Sequence, residues 1–124
     1  MKNQMYSLVR AVENKVLKGT LEEREISQVV EELTDERYKQ KLVDRLNKII
    51  DDNQAQIPKN KQAISDMQHR LLLHSPEKEK LIKRDMERLH TFRDLLVLRH
   101  KRIELAKTVT KRITISKLTF TNLA

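Results

Sequence analysis

With 124 residues and a mass of 14.7 kDa, the chain has room for one compact core. Its 38% apolar and 35% charged residues, with a net charge of +8, suit helices that each bury one stripe and leave too little for a broad layered core. A single glycine, Gly19, and two prolines, Pro58 and Pro76, argue against glycine-dependent hairpins and phosphate loops. The lack of cysteine leaves neither disulfides nor thiolate metal sites.

In chain order, Met5, Leu8, Val9, Val12 and Val16 recur at helical spacing and predict a first amphipathic helix. Gly19 can take the left-handed conformation that ends it, and Thr20 with Glu23 has the spacing of a capping box opening the next helix. That second helix should bury Ile26, Val29, Val30 and Leu33, with Thr34 and Asp35 offering oxygens to the free amides of a third. The third carries Tyr38, Leu42, Leu46, Ile49 and Ile50 on one face and is expected to fade in the polar stretch before Pro58, because Ile57 precedes a proline. Pro58 would then open a short fourth helix through Ile64, Met67 and Leu71.

Ser75 and Pro76, followed by Glu77 and Glu79, read as the N-cap, first turn and acidic start of a long helix. Its stripe of Ile82, Met86, Leu89, Phe92, Leu96, Ile103 and Ala106 spans about 30 residues, or about 45 Å. From Ile113 the period shifts toward alternation, with Ile115, Leu118 and Phe120 between Thr114, Ser116 and Thr119, which predicts an extended tail. The expected fold is all-α: a bundle of four to five helices over residues 1–112, built on one long C-terminal helix, with an extended tail or linker over 113–124.

Catalytic chemistry finds no foothold in the pattern. No two of His69, His74, His90 and His100 stand at the i, i+4 spacing of a helical zinc pair. Adjacent carboxylates such as Glu22 with Glu23, Glu31 with Glu32 and Asp51 with Asp52 diverge by about 100° on a helix. Ser27, Ser65, Ser75 and Ser116 lack a nucleophile-elbow context. The expectation is a non-enzyme with no cofactor, no metal and no small-molecule substrate. No apolar run approaches the roughly 20 residues of a membrane span, nor does the N-terminal segment read as a signal peptide. A soluble protein of the cytoplasm, nucleoid-associated, or of the nucleus is expected.

The basic C-terminal part carries the functional signal. Arg93, Arg99, Lys101, Arg102, Lys107, Lys111 and Arg112 face only Asp94 and Glu104, a local excess of five positive charges. They are candidates for phosphate contact or for salt bridges. The plainer alternative is that they complement a helix C-terminus and cover apolar neighbours with their stems. With Tyr6, Tyr38, Phe92 and Phe120 as the only aromatics, backbone contact rather than base stacking would be the mode.

The segment from Leu89 to Ala106 also resembles the last helix of the α-helical domain of archaeal GINS subunits, at Leu95, Leu96, Arg99, Arg102, Ile103, Leu105 and Ala106. The resemblance implies a non-enzymatic factor of the replicative helicase that bridges the MCM ring, a RecJ-like partner and other replisome proteins. Residues 113–124 would lead toward a β-rich B domain. Leu89, Phe92, Leu96 and Ile103 would serve core and subunit interface together, and Arg99 and Arg102 would make salt bridges or lie near DNA. Two principal readings follow: an oligomeric assembly subunit of a DNA-replication complex acting through helix–helix interfaces with its own or other subunits, and a small basic protein that grips duplex nucleic acid through the 93–112 face. A regulator or chaperone that holds a peptide helix in the apolar groove is a third.

Overall fold

A computed structural model describes the backbone of residues 2–123 and the side chains of residues 4–116. Among these residues there are four helices and no strand: α1 (Lys2–Lys18), α2 (Glu23–Glu32), α3 (Glu36–Leu73) and α4 (Glu79–Leu123). At 38 and 45 residues, α3 and α4 are about 57 and 67 Å long and dominate the molecule. They form an antiparallel hairpin, bonded near its tip by His74 with Asp85 and farther along by Asn60 with Phe92 and Arg99 with Asn53. α1 lies beside the first half of α3 and runs in the same direction, since Tyr6 faces Lys41 and Arg45 while Glu13 pairs with Arg45 at 3.1 Å. α2 is held to α4 by Arg112, which pairs with Glu23 and reaches Ser27.

The apolar core sits at one end of this frame. Val9, Val12 and Val16 of α1, Ile26 and Val29 of α2, Leu42, Leu46 and Ile49 of α3, and Leu105, Ala106, Val109 and Ile113 of α4 form one buried cluster. Beyond it the hairpin continues as a two-helix arm whose seam follows a seven-residue rhythm. In α3 the buried positions Leu46, Asn53, Asn60 and Met67 recur every seven residues, and in α4 Asp85, Leu89, Phe92, Leu96, Arg99, Ile103 and Ala106 alternate steps of four and three. That is the spacing of a left-handed coiled coil.

Four boundaries differ from those expected. Thr20 does not cap α2, because it completes the end of α1: Gly19, at φ 70°, donates to Val16 O, and Thr20 N–H donates to Lys15 O at 2.9 Å. This is a Schellman closure. The cap of α2 falls two residues later, with Glu22 and Glu25 in a reciprocal box.

α3 does not stop before Pro58, and there is no separate short helix after it. Pro58 is exposed, so its ring faces water, while Asn53, Asn60 and Met67 on the opposite face hold both flanking turns against α4. One missing backbone bond is outweighed by that packing. Ser75 and Pro76 do not begin α4. Residues 75–78 make the reversal between the helices, closed by Lys78 N–H to Ser75 O at 3.1 Å, and α4 starts at Glu79.

The expected extended tail is helical, since α4 runs unbroken through residue 113 to Leu123. Ile113 is buried in the core beside Val109, and the hydroxyls of Thr108 and Thr114 bond the carbonyls four residues earlier. Burial of one face overrides the weak helix preference of β-branched residues. The side chains of Leu118, Thr119 and Phe120 lie outside the described residues.

Candidate binding face of the helical hairpin

Charge is distributed unevenly over this frame. Residues 1–53 carry ten basic and eleven acidic side chains, whereas residues 54–124 carry sixteen basic and seven acidic. The first group is largely self-compensated, through Lys15 with Glu25, Arg37 with Asp35, Lys39 with Glu36 and Arg45 with Glu13. Within residues 54–116, only Arg70, Arg84 and Arg112 among the lysines and arginines make an ion pair with a described residue.

The seven basic residues of the 93–112 segment separate into two sets. Arg93, Lys101, Lys107 and Lys111 are exposed and without an ion-pair partner among the described residues. Eighteen residues of helix separate Arg93 from Lys111, about 27 Å. Arg99, Arg102 and Arg112 are half-buried and engaged within the chain. Arg99 donates to Asn60 Oδ1 at 3.1 Å and to Asn53 Oδ1 at 3.2 Å. Arg102 donates to the same Asn53 oxygen at 3.3 Å and to Leu17 O at 2.6 Å. The Leu17 carbonyl belongs to the last turn of α1, where the helix dipole is negative, so Arg102 completes that helix end. Its burial, and then the charge of Arg99, push the Arg102 guanidinium below its usual range. Of the seven, Arg112 makes a salt bridge with a described residue, Glu23.

Leu89 and Ile103 are buried, and Phe92 and Leu96 are half-buried. They lie on the α4 stripe that bonds to α3 through the Phe92 carbonyl and Arg99, so they close the hairpin's own seam. Among the described residues the large apolar side chains that do face water are others: Leu72, Leu73, Met86, Val97 and Ile115, together with Tyr6. A shallow, largely apolar depression on α4 is lined by Ile82 and Met86 between Glu79, Lys83, Glu87 and His90.

One charged cluster was not legible beforehand. Asp85 is fully buried at the hairpin end, with His74 Nε2 2.7 Å and Arg70 Nε 3.3 Å from its Oδ2 and Arg84 Nε 3.7 Å from its Oδ1. The hydrogen bond from His74, followed by the charges of Arg70, His74 and Arg84, holds its carboxyl below the usual aspartate range. The signal available in the sequence was the seven-residue step from Asp85 to Phe92 and Arg99, which puts the carboxylate in the seam. Among the described residues, no group of three or more histidines and carboxylates is placed to hold a metal ion. No helix of the described residues is long and apolar enough to cross a membrane.

Comparison with protein-family models, with curated proteins and with solved structures returns no match. The class of protein therefore rests on the fold and the charge pattern: an all-α protein with a small helical body, a long two-helix arm, and a basic helix, α4, that runs through both.

Proposed function

We propose that the chain is a non-enzymatic binding protein whose α4 face holds duplex nucleic acid by its phosphates. The observation that supports this reading is uncompensated charge: Arg93, Lys101, Lys107 and Lys111 are exposed, unpaired with any described residue, and aligned on one long helix. A rigid row of cations about 27 Å long matches roughly eight base pairs of duplex, and cations on such a row gain affinity by releasing counterions from phosphates. Only two tyrosines and two phenylalanines are present, so the contact is to the backbone rather than to stacked bases. Arg99, Arg102 and Arg112 orient the helix from within and do not reach outward.

The test is fluorescence anisotropy of a labelled duplex titrated with the full chain between about 0.1 M and about 0.5 M salt. Replacing Lys101, Lys107 and Lys111 by glutamate is expected to weaken binding strongly and to reduce the slope of log affinity against log salt by about 3. An unchanged slope and affinity would place the phosphate contacts elsewhere or nowhere.

A second reading is the assembly subunit of a DNA-replication complex. It draws on the resemblance of Leu89 to Ala106 to the GINS helix and on the exposure of Leu72, Leu73 and Val97, which would suit a protein partner. Under this reading the partner meets the outer face of the hairpin, because Leu89, Phe92, Leu96 and Ile103 are occupied within the chain. Stable complex formation that ignores both duplex and salt would favour it over direct phosphate binding.

A further inference from the structure

We infer that copies of this chain join head to tail, the hairpin tip of one seated in the α1–α2 groove of the next. The tip carries the two most exposed large apolar residues, Leu72 at 82% and Leu73 at 73% exposure. Residues 70–85, which form the tip, carry Arg70, Lys78, Lys80, Lys83 and Arg84 against Glu77, Glu79 and Asp85, an excess of two positive charges. Adjacent exposed leucines on a net-basic tip suit a partner surface that is apolar in the middle and acidic at the rim.

Such a surface exists at the other pole. The start of α1 and the end of α2 enclose a groove lined by Gln4, Met5, Leu8, Glu31, Glu32 and Thr34. Met5 and Leu8 are half-buried and form an apolar side of it. Glu31 and Glu32 occupy the last turn of α2, which holds no basic residue. There the negative end of the helix dipole opposes them. Neither makes an ion pair with a described residue, and the Glu32 side chain accepts only from Gln28, at 3.0 Å. Incoming lysines would relieve that repulsion, and the leucines would leave water against Met5 and Leu8.

The occupant is a second copy, because the tip of this chain offers the apolar side chains and positive excess that complement the groove, and within one chain the two patches cannot meet. Thr34 borders the groove and Leu72 lies at the far end of α3, so about 55 Å of continuous helix separates them. One patch meets a different patch, so the contact is heterologous and propagates from copy to copy. It needs no nucleic acid and stands apart from the phosphate-binding reading.

The experiment is light scattering on the full chain, free of nucleic acid, from micromolar to millimolar concentration at about 0.1 M and about 0.5 M salt. Wild type is expected to rise progressively above 14.7 kDa with concentration, less so at the higher salt. Leu72→Asp with Leu73→Asp disables the tip, and Glu31→Lys with Glu32→Lys disables the groove; all four positions are exposed, so circular dichroism should stay unchanged. Each double variant alone is expected to associate at least about tenfold more weakly than wild type. Mixed together they should form a dimer of twice the chain mass and nothing larger, since each supplies the patch the other lacks. A wild type that stays at the single-chain mass throughout, or variants that assemble as wild type does, would overturn the proposal. A mixture that gives no dimer would equally overturn it.

Discussion

Asp85 and the pair Arg99 with Arg102 carry the two charge arrangements that a helix seam tolerates least. A buried carboxylate survives in the arm because His74, Arg70 and Arg84 converge on it, and removing one partner of such a cluster strands the others. Its lowered pKa fixes the sign of a pH effect. The folded state favours the ionised carboxyl, so the group contributes stability above the ordinary aspartate range and loses it as pH falls through the depressed folded value. Asp85→Asn is therefore expected to lower the melting temperature at neutral pH and to flatten the acid limb of stability against pH. Thermal melts from neutral to strongly acidic pH check this, and parallel curves for the two proteins would contradict it. Arg99 and Arg102 solve the opposite problem without a carboxylate. Both share the Asn53 oxygen, and each takes a second neutral acceptor, which satisfies the donors but leaves two positive charges close together.

At the scale of elements, two residues decide how the helices end or persist. Gly19 sits at φ 70°, and a Cβ there would lie 2.9 Å from Leu98 Cδ1. Gly19→Ala is expected to cost about 1–2 kcal/mol from the left-handed backbone alone, with the clash in addition. A urea midpoint equal to that of wild type would contradict this. Pro58 has the reverse character. It interrupts the hydrogen-bond ladder of α3 on an exposed face, and alanine removes the ring while restoring the N–H. Pro58→Ala should raise stability by up to about 3 kcal/mol, measured by the same denaturation; a lowered midpoint would mean that the proline supports the local backbone. Gly19 ends α1 as its place in the sequence predicts, whereas the break expected at Pro58 and the start expected at Ser75 are where the residue pattern misled. Ser75 and Pro76 form a helix-start motif, yet the chain needs residues 75–78 to reverse direction, and the motif serves the reversal instead.

At the scale of the whole molecule, the body and the arm should differ in stability. The body encloses a continuous apolar cluster, while the seam of the arm is punctuated by Asn53, Asn60 and Asp85. Polar groups in a two-helix seam specify register at a cost in stability. Amide hydrogen exchange is therefore expected to be slowest at 42–50 and 105–113 and faster at 60–71 and 82–96. Uniform protection along α3 and α4 would show that the arm opens only when the body does. Charge does not follow the same division: Lys107 and Lys111 lie on the stretch of α4 that closes the body's core, so the proposed phosphate grip runs along α4 from arm to body.

Periodicity and the shortage of glycine determined by themselves that residues up to 112 are built from helices, while the alternation from Ile113 pointed the other way. The heptad and helical spacings of Val9, Val12, Val16, Leu42, Leu46 and Leu89 state which faces leave water, and apolar burial acts on every such stripe whatever it meets. Only the tertiary structure decided how long the helices run and which cations remain outside. Whether Pro58 and the β-branched residues near Ile113 break a helix depends on the packing across from them, and whether Arg99 faces phosphate or Asn60 depends on the partner helix. A residue's spacing along one helix fixes its direction, whereas its partner is supplied by segments tens of residues away.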